Sequence, residues 1–218
     1  MQKSDILFDP NLILHNSSLR LRAINEDDIT KFSKLAAELI SAWKYFACKM
    51  ENADDMEAYI KESLNQRRLG LRQTFAIENI ETNEIMGSTA LGNYSQNDQR
   101  IEIGWSFLRK EFQGTAVNQN AKFLLLQFGF EQLELKRIEF KTDVLNQAAR
   151  KALLKIGATE EGILRSHTLM PDNRRRNTIY YSILRDELSN VMSNVFDGYS
   201  DLKISNSKIS LELNSGLR

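Results

Sequence analysis

Apolar residues change their spacing several times along this chain, and each change marks an element. Leu19, Leu21 and Ala23 alternate with Arg20 and Arg22, the period of two that a strand with one buried face requires. Asn25 can cap a helix, and Glu26, Asp27 and Asp28 suit its positive end; Phe32, Leu35, Ala36 and Leu39 then recur at helical spacing to about Ile40. Asp54 can cap a second helix over "DMEAYIKESLNQRRL". "TFAIENI" and "IMGSTALGNY" predict strands joined by the polar turn "ETNE". "RIEIGWSFL" predicts another, with Ile101, Ile103, Trp105 and Phe107 on one face and Arg100, Glu102, Gly104 and Ser106 on the other. Gly104 marks a bulge or a close backbone approach. A short polar loop leads into a long apolar helix, then come the strand "RIEFKTDV" and the helix "NQAARKALLKIG", ended by Gly157. "EEGILRSHTLM" and "NTIYYSILRD" predict a closing hairpin around "PDNRRR". The expected fold class is α/β with a mixed sheet. Weak periodicity after Ser189 predicts a domain over residues 1–188 and a C-terminal extension, 189–218, partly ordered at best.

Charge and composition narrow the function classes. Lysine plus arginine, 29, equals aspartate plus glutamate, 29, so no global field recruits nucleic acid or an anionic membrane. The apolar run Phe123 to Phe130 is interrupted by Gln127 and Gly129 and falls far short of the ~20 residues a membrane span needs. "MQKSDILFDPNLIL" lacks the apolar block of a signal peptide. One cysteine, Cys48, excludes an internal disulfide and suits a reducing compartment. The expectation is a cytoplasmic protein with no nucleic acid, membrane or metal partner.

The candidate chemistry begins where the strand ending at Leu108 meets the apolar helix. Gly114, Thr115 and Asn118 surround the helix start, where unpaired N–H groups and the helix dipole favour an anion, a phosphate first of all. Neither GxGxxG nor GxxxxGK[ST] is present, which removes the common dinucleotide and nucleotide-triphosphate loops. The ordered set "EIGWSFLRKEFQGTAVNQNAKFLLLQFGFEQL", "RIEFKTDVLNQAARKALLKIGATEEGILRSH" and "NTIYYSILRDE" resembles the GNAT N-acyltransferase superfamily, in the branch of the ribosomal-protein N-terminal acetyltransferases. The resemblance spans roughly Leu19 to Leu188. It implies a mixed, mostly antiparallel twisted sheet with splayed central strands and helices on both faces. It also implies acetyl-CoA as cosubstrate in the gap between "IEIGWSFL" and "RIEFKTD". The backbone of Ser106, Phe107 and Leu108 would pair with the pantetheine arm, and the diphosphate would rest on N–H groups of Gln113, Gly114, Thr115, Ala116, Val117 and Asn118. Ala116 stands where the family commonly has a second glycine, and Asn118 where it has a small residue.

Acetyl transfer to nitrogen needs a neutral amine. Deprotonating a lysine amine at pH 7 costs about 4.6 kcal/mol, an α-amine only about 1 kcal/mol. Glu102 is the candidate base, acting through water as carboxylates at this strand position often do in the superfamily; otherwise it pairs with a neighbouring cation. The family's usual proton donors to the leaving thiolate are missing: Leu153 stands at the tyrosine position seven residues after Asn146, and Ala149 at the serine position three after it. Asn146 can hold the pantetheine arm, cap the helix that follows, or both. Tyr180, on the polar face of the last strand, is the substitute donor, whereas Tyr181 belongs to the apolar face. His167 lies on the preceding strand, where a lone histidine is more often structural. Arg174 to Arg176 form either a solvated turn or a preference for an acidic acceptor, and Trp43, Tyr45 and Phe46 either a wall of the acceptor channel or core. The expected function is acetyl-CoA-dependent N-acetyl transfer to a primary amine, on a protein N-terminus or a small molecule, by direct attack. The alternative is a module that binds acyl-CoA without turnover. Assembly as a homodimer is compatible with both.

Overall fold

Strand pairing in the computed structural model follows the order of elements read above, with additions at both ends. The structure describes residues 2–39, 43–49, 51–199 and 202–205. Helix α1 (Lys3–Leu7) and strand β1 (Ile13–His15) precede β2 (Leu19–Ala23), α2 (Asp27–Leu39) and α3 (Ala53–Arg68). Then come β3 (Arg72–Asn79), β4 (Ile85–Ser95), β5 (Arg100–Leu108) and α4 (Val117–Gln127), which ends in a π-helical turn, Phe128–Gln132. β6 (Arg137–Asp143), α5 (Gln147–Lys155), β7 (Thr159–Leu169), β8 (Arg175–Leu184), α6 (Leu188–Val195) and β9 (Lys203–Ser205) complete the chain. The strands form one mixed sheet in the order β7-β8-β6-β5-β4-β3-β2-β1-β9, antiparallel at every pairing except the parallel contact of β5 with β6.

Two apolar layers sandwich this sheet. On one face α4 supplies Phe123, Leu124, Leu125 and Leu126 to a core shared with Ile101 and Ile103 of β5, Ile138 and Phe140 of β6, and Ile179, Tyr181 and Ile183 of β8. Leu153 of α5 and Val191 of α6 join the same layer. On the opposite face Phe32 and Ala36 of α2 and Met56, Tyr59 and Ile60 of α3 pack on Ala76 and Phe107.

The face assignment within β5 holds only to Ile103. Ser88 of β4 pairs with Phe107 but Ala90 pairs with Gly104, so β5 carries an extra residue between them. Trp105 occupies that bulge with φ +51°. The bulge resets the alternation: Leu108 rejoins Ile101 and Ile103 on the α4 face, while Phe107 turns into the α2–α3 core. Trp105 leaves the apolar face expected of it and lies beside Gly92 and Lys141 on the α2–α3 side. Gly104 therefore neighbours the bulge, and Trp105 makes it.

One more local expectation needs correction. Asn52, not Asp54, caps α3: its backbone is extended and its side chain accepts from the N–H of Asp55 at 2.9 Å. Contacts with the sheet and α4 continue past residue 188. Phe196 and Tyr199 pack on Phe123 of α4, Gln119 Nε2 donates to the carbonyl of Val195 at 3.2 Å, and β9 pairs with β1 at the sheet edge. The run after Ser189 lacks long periodicity because it packs on a helix already in place, with Phe196 and Tyr199 against Phe123. Residues 206–218 of the expected extension, and Ile40 at the expected end of α2, lie outside the described residues.

Candidate active site

β5 and β6 pair over only three positions, Arg100 with Arg137, Ile101 with Ile138 and Glu102 with Glu139. Beyond Glu102, β5 continues to Leu108 beside β4 alone, and β6 continues to Asp143 beside β8 alone. A wedge opens between them, with unused backbone donors and acceptors along its edge. Its β5 wall is held by Phe107, whose ring sits in edge contact with Phe32, Trp43, Phe46 and Tyr59 at centroid distances of 5.9–6.2 Å. Ser106 shares a 2.8 Å hydrogen bond with Thr89, which fixes the strand after its bulge. The tyrosine hydroxyl of Tyr45 donates to the carbonyl of Leu145 at 3.2 Å and so links the α2–α3 connection to the loop after β6.

At the wide end of the wedge lies the loop before α4. Gly114 has φ +75°, and a Cβ there would meet nothing within 4 Å, so the glycine is required by backbone conformation and leaves the space above it open. Thr115 turns its hydroxyl onto the carbonyl of Phe112 at 2.7 Å and accepts from the N–H of Val117 at 3.3 Å. Among the described residues no acceptor meets the N–H groups of Gly114, Thr115, Ala116, Asn118 and Gln119. Five backbone donors around one helix start make an anion nest.

Lys122, one turn into α4, adds a charge that sequence reading passed over. Its side chain runs back along the helix, and Nζ donates to Oδ1 of Asn118 at 2.7 Å. The residue is only 6 % exposed, no carboxylate pairs with it among the described residues, and burial pushes its pKa down to about 8. The signal was a lone lysine within the apolar run "AKFLLLQFGF". A desolvated ammonium at the level of the free N–H groups fits a site for a diphosphate.

The other end of the wedge opens on the α2–α3 face. Glu102, 4 % exposed, accepts from Nζ of Lys141 at 2.8 Å and from Nδ2 of Asn93 at 2.7 Å, both at Oε2. The neighbouring-cation alternative for Glu102 is therefore realised, with Lys141 of β6 as the cation in place of Arg100. Lys141 also lies 5.9 Å from the Trp105 ring, and Arg72 lies over the same ring at 5.0 Å. Tyr180 stands opposite Lys141 in the β6–β8 ladder, half-buried, with its ring 6.1 Å from that of His167. His167 is exposed and meets Thr178 Oγ1 at 3.1 Å. Tyr181 is fully buried in the α4-side core, and its hydroxyl reaches Glu160 and Arg150.

The remaining candidates divide between the wedge and the frame around it. Asn146 caps α5, accepting from the N–H of Ala149 at 3.1 Å. Leu153 is buried in the core, so neither it nor Ala149 brings a hydroxyl to the wedge. Arg174 is not part of a free turn: it pairs with the buried Asp143 at 2.6 Å. Arg176 is buried and holds Thr178 at 3.0 Å. Trp43 is core, while Tyr45 and Phe46 are half-buried at the channel side. Among the described residues no cluster of His, Cys, Asp or Glu forms a metal site, and no helix is long and apolar enough to cross a membrane.

A mixed, mostly antiparallel sheet that splays beside one glycine loop and one helix start has the fold of solved acetyltransferases. Residues 18–159 match the family model described as an acetyltransferase (GNAT) domain, and the chain belongs to that family. It is an N-acetyltransferase by this membership and by its relatives. YdaF of Bacillus subtilis (strain 168), named provisionally as a ribosomal N-acetyltransferase, is 27 % identical over 180 residues, covering 79 % of this chain and 94 % of its own. YoaA of the same organism, an N-acetyltransferase of uncharacterised role, is 28 % identical over 180 residues, covering 79 % and 97 %. The structure of Mycobacterium smegmatis RimJ, solved with CoA-disulfide, superposes with a TM-score of 0.71 at 18 % identity over 84 % of this chain and 94 % of that one.

Proposed function

We propose that the protein transfers the acetyl group of acetyl-CoA to a primary amine by direct attack in the β5–β6 wedge. The observation that carries this reading is the coincidence of two features: pairing that stops at Glu102, and free N–H groups clustered from Gly114 to Gln119. In this reading the backbone of Ser106, Phe107 and Leu108 aligns the pantetheine arm as a neighbouring strand would. The loop from Gln113 to Asn118 cradles the diphosphate through the free N–H groups of Gly114, Thr115, Ala116 and Asn118, with Lys122 beside them; the N–H groups of Gln113 and Val117 are taken by the Lys110 carbonyl and the Thr115 hydroxyl, and Asn146 holds the arm. The acceptor enters from the α2–α3 face. As its nitrogen bonds to the acetyl carbon and the C–S bond breaks, Glu102 takes a proton from the amine through water, and Tyr180 hands one to the departing sulfur. Lys141 and Asn93 hold the carboxylate on one oxygen, which leaves Oε1 to face the water.

Calorimetry with CoA tests the binding half of the reading, and release of free thiol from acetyl-CoA with a panel of amines tests the chemical half. Binding at micromolar levels with amine-dependent thiol release is the expected result. Binding without release on any amine would favour the module that holds acyl-CoA without turnover, a reading favoured by the burial of Leu153 where the family's tyrosine would stand.

A further inference from the structure

Around Glu102 most cations are paired with carboxylates, and two are left over once each pair is assigned. Glu102 is taken by Lys141, Asp143 by Arg174, and Glu139 by Arg100 and Arg137. Arg72 and Arg176 remain, and among the described residues neither has a carboxylate partner. Arg72 is stacked between rings, with its guanidinium carbon 5.0 Å from the centroid of Trp105 and 5.6 Å from that of Tyr59. Among the described residues its side chain makes one hydrogen bond, from Nη2 to Ser63 Oγ at 3.1 Å, and its buried Nε has no partner. Glu62 on α3 feels its charge, but Glu62 gives its oxygens to Gln66 and Asn65. Arg176 is 8 % exposed, spends Nε on Thr178 Oγ1, and lies within electrostatic range of Glu102, Asp143 and Tyr180.

Guanidinium groups that lack a directly paired carboxylate, one caged between rings and one buried, favour the arrival of an anion. They are also the donors best shaped to grip a carboxylate with two hydrogen bonds. Through Trp105 and Lys141, Arg72 is in contact with the network that holds Glu102. We propose that the acceptor carries a carboxylate close to its amine, and that the cations flanking the Glu102–Lys141 network, Arg72 on β3 and Arg176 on β8, attract it while the amine reaches the wedge. The proposal rests on the acetyl-transfer reading above and names its substrate class. Such a carboxylate is presented by a peptide whose first residues include Asp or Glu, and equally by a free amino acid.

The test measures thiol release with saturating acetyl-CoA and three sets of acceptors: peptides with acidic, neutral or basic second and third residues, free aspartate and glutamate, and simple amines. The expected result is a kcat/KM at least about tenfold higher for acidic than for basic peptides or simple amines, the factor one charge-assisted hydrogen bond supplies. Preference for free amino acids over acidic peptides would assign the carboxylate to a small molecule, and the reverse to a protein N-terminus; both support the proposal. Arg72→Gln and Arg176→Gln should raise KM for the acidic acceptor more than for a neutral one, with CoA affinity measured alongside as the check on folding. Equal rates on acidic and basic acceptors, with CoA bound, would overturn the proposal and leave the transferase reading standing. Absence of both CoA binding and thiol release would overturn the two together.

Discussion

The ammonium of Lys122 donates to the side-chain oxygen of Asn118 at 2.7 Å, and this single neutral acceptor is its whole polar environment among the described residues. A charge kept this dry at a helix start weakens the ligand-free fold and strengthens the site for an anion.

Lys122→Met is therefore expected to stabilise the protein and harm the coenzyme site. Burial lowers the pKa of Lys122 from 10.5 to about 8. Below pH 8 the group is charged in both folded and unfolded chains, and the folded state bears the full penalty. Between about pH 8 and 10.5 the unfolded chain keeps a proton that the folded chain has lost, so stability rises with pH across that window. The substitution should add on the order of 2–3 kcal/mol below pH 8 and abolish the rise. Urea unfolding at pH 7 and pH 10 checks the first part, and a weaker CoA affinity by calorimetry the second. A Met variant less stable at pH 7 would show the ammonium to be well solvated.

Gly114→Val tests the loop. The φ of +75° makes any β-branched residue costly there, about 1–2 kcal/mol, and the side chain would fill the open space above the free N–H groups. CoA should bind at least about tenfold more weakly while the melting temperature falls by only a few degrees. Unchanged affinity would detach the loop from the coenzyme.

Glu102→Gln tests the base. The amide can still accept from Lys141 and Asn93, so the frame should survive. Turnover should fall about 100-fold, the lower range of general-base contributions, with CoA affinity unaltered. Loss of CoA affinity instead would make Glu102 a structural brace of the wedge.

Phe196→Ala tests the tail. Phe196 is 3 % exposed and packs on Phe123 at 5.2 Å, so the truncation should cost about 3–5 kcal/mol. Because Phe123 belongs to the helix that starts the anion nest, deletion after residue 188 should lower both thermal stability and CoA affinity. A deletion that melts like the intact chain would support the boundary at residue 188.

Much of this was legible from one dimension, and the exceptions share a cause. The alternation of Thr178, Ile179, Tyr180 and Tyr181 assigned each residue its face, because β8 runs without a bulge through that stretch. The same rule failed at Trp105, where a β-bulge inserts a residue and reverses the parity of everything after it. Arg72 lies just ahead of the strand read from Thr74 and carries no signal of its own; only the approach of Trp105 from β5 and Tyr59 from α3 makes it a caged cation. Lys122 was passed over although it is a charge in an apolar run, because an apolar run does not say which charges lack partners.

Spacing along the chain, on its own, determined the order of strands and helices, the glycine loop ahead of α4 and the family to which the motifs belong. Those depend on neighbours two to four residues apart, where period, capping and backbone preference act. Folding in three dimensions decided how far β5 and β6 stay together, which cations lack a paired carboxylate, and that Phe196 and Tyr199 pack on α4. Each of those is a meeting of residues tens of positions apart, set by the register and desolvation of the whole sheet, and no local pattern encodes it.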